Sequence, residues 1–448
     1  MEVVVLSLSV TLPLLFLGLF IFAFTRKSGD DDKKLPPGSL GWPIMGETLE
    51  FLFGKPENFV FDRMKKYSPD IFKTKILGEK TVKIFRSYQA ASPKQIARDA
   101  EAKIIRAPGF LKPEALIHYL GKMDSITQQQ LQAHWEGKTE VKVFPFAKTL
   151  TLTLACRFFL GIDDPERIAR LVTNFDDITL GMHSIPLRIP GTIFYQASKA
   201  AAAIRKELFT IIKEKKAAMA TGQPMQDILS HMIVAADPTG RFMPEAEIAD
   251  KIMGLLTAGY STVATAIAFL MKFVGERPDI YNKILAAMGD RSQQAAWSFL
   301  SWDDMHKMKY SWNTVYEVMR FTPPLLGTFR TVLEDFTYSG YTIPKGWKVY
   351  WTVSTTNKNP AYFRDPEKFD PTRYEERNGS SPPPFAFVPF GGGQRMCPGK
   401  EYARFAILTF LHNVVKRYKW EVLLPDEKIV GDMMPTPQKG LPIRLQPH

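Results

Sequence analysis

The chain has 448 residues, 45% of them hydrophobic and 12% aromatic, with 58 Lys and Arg against 46 Asp and Glu. That length is enough for a large core, and the composition rules out a disordered or collagen-like chain. The net charge of +12 invites a nucleic-acid reading, but the basic residues are scattered among the acids and form no reader module, so a basic surface facing anionic lipid or an acidic protein fits better.

From Val3 to Thr25 no residue is charged, a run long enough as a helix to cross a hydrocarbon layer of about 30 Å. Pro13 kinks such a helix without forbidding it. A cleaved signal peptide is the rival reading. The run is longer than a usual signal h-region and lacks a basic segment before it, which favours an uncleaved anchor over residues 1–25. Arg26, Lys27, Lys33 and Lys34 follow the span and outweigh Glu2 before it, which leaves the bulk of the chain in the cytosol. Residues 26–45 form a basic linker in which Pro36, Pro37 and Pro43 interrupt any helix. Neither a repeat nor a second linker follows, so 46–448 is taken as one catalytic domain.

The chain has two cysteines and no CxxC spacing, which argues against a zinc or dithiol site. A disulfide between them is compatible with the sequence, though so few thiols suit a reducing compartment better. Cys156 lies in the apolar helical pattern TLACRFFL and is expected to be a buried core thiol.

The stretch Pro244 to Pro278 is a long helix, with early acids and with Gly275 as its stop. It is apolar on most faces, hence central. Ala258, Gly259, Ser261 and Thr262 interrupt it with small and hydroxylated groups. They are either a helix-packing patch or a place where a flat ligand lies against the backbone with a hydroxyl beside it.

Downstream, Glu317 and Arg320 stand one helical turn apart before Pro323 and Pro324. Such a pair is usually solvated. Here the neighbours Val318, Met319 and Phe321 are apolar, and a buried Glu needs partners on both sides, for which Arg373 in DPTRY is a second guanidinium. Near the end, FVPFGGGQRMCPGK sets Cys397 after three glycines. A turn cysteine is the plain alternative. Three glycines permit positive φ and close backbone approach, and an axial thiolate explains them better.

Taken together, FGGGQRMCPG, EVMR, DPTRY and AGYST resemble, in order and spacing, the cytochrome P-450 superfamily. Stretches such as FLKPEAL, QDILSHM and YTIPKGWKVYWTVSTTNKNP are similar to the plant enzymes that oxidise pentacyclic triterpenes, the group containing β-amyrin 28-oxidase. The resemblance implies a mainly α cytochrome P-450 fold, a large helical domain with small β-sheets behind an N-terminal transmembrane helix. It implies a haem whose iron is bound by the Cys397 thiolate, which favours O–O cleavage. Gly393 would allow the turn under the porphyrin, Phe390 would shield the sulfur, and the N–H groups of Gly399 and Lys400 would tune it. Arg395 and Arg330 correspond to propionate partners, while Glu317, Arg320 and Arg373 form a structural network.

In the same way, oxygen activation is placed over Ala258, Gly259 and Thr262. Ser261 stands where the family usually has an acid, which points to a water-based proton relay. The implied pocket walls are Leu256, Ala258, Leu325, Leu326, Phe329, Met433 and Met434; ordinary core is their plain alternative. Residues 86–109 are shorter than the corresponding family region, and the usual Trp-x-x-x-Arg is absent there, with Arg106 as its nearest substitute. No dinucleotide fingerprint is present, so electrons are expected from NADPH-cytochrome P-450 reductase at the endoplasmic reticulum membrane. Lys400, Arg404, Lys416, Arg417 and Lys419 would offer that partner positive charge, or simply form a solvated helix face. The expected activity is monooxygenation of an apolar triterpene of the β-amyrin or oleanolic acid type. A haem-thiolate isomerase or dehydratase that does not use O₂, and a non-catalytic relative, remain alternatives.

Overall fold

A computed structural model describes residues 18, 34–42, 44–53, 56–84, 111, 113–182, 184–237, 239–287, 299–375, 382–383, 386–393, 396–431 and 434–448. The anchor (apart from Gly18) and the shortened segment 86–109, with Arg106, lie outside the described residues, as do Arg395 and Met433. The described residues fall into two compact units. The first comprises the described residues of 1–101 with 326–364 and 382–388; the second comprises those of 102–325, 365–381 and 389–448.

The first unit is built on a four-stranded sheet. Strands β1 (Ile71–Ile76) and β2 (Glu79–Ile84) form a hairpin across Leu77 and Gly78, both with positive φ, the geometry a two-residue hairpin turn requires. β2 runs parallel to Lys348–Thr352, which pairs on its other side with Gly327–Thr331, giving a sheet that is antiparallel at both ends. Part of the expected linker already belongs to this unit. Lys73 donates its N–H to the Pro37 carbonyl at 2.8 Å and Glu47 donates to Lys75 at 2.8 Å, so the prolines shape a strand-edge connection rather than a free tether.

The second unit is helical. In chain order its main rods are α1 (Pro113–Trp135), α2 (Val143–Ala155), α3 (Pro165–Gly181), α4 (Ile193–Ala220), α5 (Glu245–Gly275), α6 (Lys309–Phe321) and α7 (Lys400–Val415). α3 starts at Pro165, and the Asp164 carboxylate caps it by accepting from the N–H groups of Glu166 and Arg167. α2 runs into a π-helical turn, Cys156–Leu160, closed by Gly161 at φ 70°. A small antiparallel sheet, with Pro442–Pro447 between Glu140–Lys142 and Tyr418–Val422, closes the unit.

α5 has the expected span, and its two long apolar edges are packed in the core with α2, α6 and α7. Both Glu245–Gly275 and Val143–Leu160 are long and apolar enough to cross a membrane, but most of each is buried inside this unit. Gly275 ends α5 for a reason other than a left-handed cap. A Cβ there would lie 2.5 Å from the Trp420 indole nitrogen, whose N–H donates to the Met271 carbonyl at 2.8 Å.

Candidate active site

The cysteine loop begins with Phe390, whose ring stacks on Trp312 of α6 (centroids 6.2 Å apart, planes at 17°). Gly391 and Gly393 then take φ of 73° and 66°, values that cost a side-chain-bearing residue, and the chain turns back so that the Cys397 N–H donates to the Phe390 carbonyl at 2.8 Å. Cys397 is half-buried and unbridged. Its sulfur stands just ahead of α7, where helix N–H groups and the helix dipole favour an anion. Burial pushes the thiol up, and the Gly399 N–H pulls it the other way. A Cβ on Gly399 would come within 3.9 Å of that sulfur. Sulfur, donor and helix end therefore suit a ligand that completes the thiolate's charge balance, as a bound iron would.

Cys156 has the opposite environment. It is fully buried without a charge beside it, and burial pushes its thiol up to about 12.

Glu317 is wholly buried and accepts five hydrogen bonds: two from Arg320 (2.8 and 2.9 Å), one from Arg373 Nε (3.1 Å), one from the Asp370 N–H (2.9 Å) and one from the Tyr374 hydroxyl (3.1 Å). Arg320 and Arg373 each donate further to the Lys368 carbonyl. The sequence suggested the two guanidinium groups; Asp370 and Lys368 were missed because backbone donors and acceptors leave no trace in residue type, and Tyr374 because a phenol beside an arginine reads as ordinary core. Burial and the Glu317 charge both push the Tyr374 phenol up, keeping it a donor.

On α5 the exposed stripe is Gly254, Ala258 and the partly exposed Thr262, spaced by four. The Thr262 hydroxyl donates to the Ala258 carbonyl at 2.7 Å. Ser261 is buried, off this stripe. Leu256 is buried in the core. A Cβ at Gly259 would meet the Phe159 ring at 3.4 Å and Tyr402 at 3.9 Å, ordinary contact distances, so this glycine faces those two rings without being forced by them. The π-helical turn delivers Phe159 to that contact, which nothing in the sequence pattern announced.

In the first unit, Arg330 donates to the Thr328 hydroxyl at 2.7 Å and to the Phe329 carbonyl at 2.8 Å, and its buried Nε has no hydrogen-bond partner among the described residues, which fits a guanidinium able to take an anionic ligand. Of the expected wall residues in this unit, Phe329 stacks on Tyr350 at 4.5 Å and Leu326 is buried. In the second unit Leu325 is exposed and Met434 half-buried. Arg417 does not join the basic face expected beside the loop. It is buried, and its guanidinium donates to the Asn413 carbonyl and side-chain oxygen. A cleft of about 350 Å³ between His134, Lys142 and Thr149 includes none of these residues.

The cytochrome P450 family model matches residues 116–442. A β-amyrin 28-monooxygenase of Vitis vinifera is 46% identical over 486 aligned positions covering 100% of both chains. Because this chain has 448 residues, at least 38 positions of that relative have no counterpart in it. A β-amyrin 28-monooxygenase of Medicago truncatula is 47% identical, with 96% of each chain covered. Among solved structures, retinoic acid bound cyanobacterial CYP120A1 superposes with a TM-score of 0.83 at 29% identity, over 93% of this chain and 100% of that one. A family match over most of the chain, relatives aligned nearly end to end and a matching fold lead to one conclusion: the chain belongs to the cytochrome P450 family.

Proposed function

We propose that this protein is a haem-thiolate monooxygenase that oxidises a pentacyclic triterpene of the β-amyrin type. The observation that carries the substrate class is the 46–47% identity, over nearly the whole chain, to relatives named β-amyrin 28-monooxygenases. The haem of this family, its iron bound by the cysteine thiolate, supplies the activation of O₂.

The residues present suit that group. Cys397 provides the thiolate, the Gly399 N–H tempers its charge, and Phe390, held by Trp312, shields it. Arg330, with its unpartnered Nε, is assigned to a propionate, and Arg395 to the other. Thr262 holds a proton or water at its hydroxyl over the exposed stripe of α5, next to Ala258. The Glu317 network keeps α6 and the Asp365–Tyr374 segment in register behind the cysteine loop. Leu256, Ala258, Leu325, Leu326, Phe329, Met433 and Met434 are kept as the proposed apolar residues that meet the substrate.

The uncharged Val3–Thr25 run is assigned as a single-pass anchor in the endoplasmic reticulum membrane, which keeps the enzyme where an apolar substrate dissolves. Electrons come from an NADPH-dependent reductase, met by Lys400, Arg404, Lys416 and Lys419. The relatives named β-amyrin 28-monooxygenases do not favour an isomerase or a non-catalytic role. We assign the positions without a counterpart to the 86–109 region, where the sequence is shorter than the family pattern.

The test is co-expression of the full chain with a plant P450 reductase in a host that makes β-amyrin. An oxidised triterpene that requires Cys397 is expected, with carbon 28 the first position to inspect. No new product from a panel of pentacyclic skeletons, despite a normal thiolate spectrum with carbon monoxide, overturns the substrate class.

A further inference from the structure

Directly behind the exposed stripe of α5, three helices meet at Tyr260. Its ring is fully buried and lies 6.1 Å from that of Phe175 on α3. Its hydroxyl donates to the carboxylate of Asp176, also on α3, and the same carboxylate oxygen accepts from Lys148 Nζ of α2 at 2.7 Å. The Tyr260 carbonyl accepts from the Thr151 hydroxyl of α2 at 3.1 Å. Burial first, then the Asp176 charge, pushes the phenol well up and keeps it a donor. Asp176 and Lys148 both reach solvent in part, so the bridge sits at the rim of the core.

Tyr260 is thus held at both its side chain and its backbone. It is flanked by Gly259 and Ser261, and Thr262 follows two positions later. A helix turn carrying two small residues and a threonine whose hydroxyl is bonded to its own backbone has little side-chain bulk of its own to fix its rotation. The ties from α2 and α3 supply that constraint. α3 leads directly into a segment whose Leu180, Met182, Ile185, Leu187 and Ile189 are exposed.

We propose that Asp176 and Tyr260 are positioning residues: their bridge, supported by Lys148, links α3 to the Gly259–Thr262 turn and sets the orientation of the Thr262 hydroxyl. This inference rests on the monooxygenase reading, in which Thr262 manages protons. Ser261 lacks an acid's function, and the nearest carboxylate to this turn that the contacts reveal comes from α3 instead. Its role is to hold the turn, since the Tyr260 side chain leaves α5 on the face away from the stripe.

The test uses the haem-loaded full chain with Tyr260→Phe, which keeps the ring and removes the hydroxyl, with Asp176→Asn and with the double variant. Loss of a charge-assisted hydrogen bond should raise amide exchange at 256–264 about tenfold while the other α5 amides stay near parental rates. The carbon monoxide spectrum should hold, the melting temperature should fall only slightly, and NADPH consumption should shift from product toward peroxide. The double variant should match the worse single one, as expected for one shared bridge. Lys148→Met removes only the partly exposed cation and reads the same exchange window if Tyr260→Phe does not fold. Exchange at 256–264 within about twofold of the parent, or a rise spread over the whole helix, overturns the proposal. Exchange needs no substrate, so a missing triterpene product would defeat the substrate assignment and leave this result standing.

Discussion

Cys156 and Cys397 show how environment, not residue type, assigns chemistry. One sulfur is fully buried, and burial alone pushes its thiol up; the other has a backbone donor and a helix N-terminus in front of it. Cys397→Ser should therefore abolish the thiolate-type carbon monoxide band, while Cys156→Ser should preserve it and lower stability by about 1–3 kcal/mol for a buried hydroxyl. Equal loss of the band in both would refute the ligand assignment. Glu317 offers a graded test at the same scale. Glu317→Ala leaves two buried guanidinium groups without their anion and should cost about 3–5 kcal/mol. Tyr374→Phe removes one of its five donors, and because the acceptor is charged the cost should be roughly 1.5–3 kcal/mol. Denaturant titration separates the two, and a Tyr374→Phe cost as large as that of Glu317→Ala would mean that the phenol, not the pair of arginines, dominates the network.

At the scale of the element, α5 marks the boundary of what the sequence reveals. Its extent was legible from Pro244, the early acids and the apolar run; the phase of its faces was not. A helix that is apolar all round gives periodicity little to work with, so the pattern did not tell that Ala258 lies on the exposed stripe and Leu256 in the core. The same limit hid Tyr260, whose partners come from α2 and α3, more than eighty positions away. By contrast, Glu317, Arg320 and Arg373 were legible because two cations and one anion in apolar surroundings have few solutions. Glycines sharpen the distinction. Gly275→Ala should destabilise by about 1–3 kcal/mol through overpacking against Trp420, whereas Gly254→Ala, with nothing within 4 Å of the added carbon, should gain up to about 1 kcal/mol of helix propensity. Melting curves of the two variants check the pair, and a stabilising Gly275→Ala would show that Trp420 yields.

For the whole molecule, apolar surface remains after both units have formed their cores. In the first unit Trp42, Ile44 and Phe53 are 73%, 76% and 75% exposed, and Leu77 stands on the β1–β2 turn. They belong to one neighbourhood, because the Leu77 N–H donates to the Thr48 hydroxyl at 2.8 Å and a Cβ on Gly78 would lie 3.8 Å from the Ile44 carbonyl. Scattered exposed hydrophobic residues need no explanation, but large ones gathered around one turn do. Each of these side chains withdrawn from water contributes about 1.5–3 kcal/mol, so four entering the boundary of a bilayer together rival a lipid chain as an anchor. Deleting residues 2–25 should therefore weaken membrane binding without ending it. The truncated chain should still sediment with lipid vesicles, resist a high-salt wash because apolar burial is unscreened, and come off in mild detergent. Replacing Trp42, Ile44 and Phe53 together by serine in that truncated chain should move it to the supernatant with its carbon monoxide spectrum intact. If the truncated chain with these residues present already stays in the supernatant, the Val3–Thr25 run alone holds the enzyme at the membrane, and the patch around Leu77 has another use.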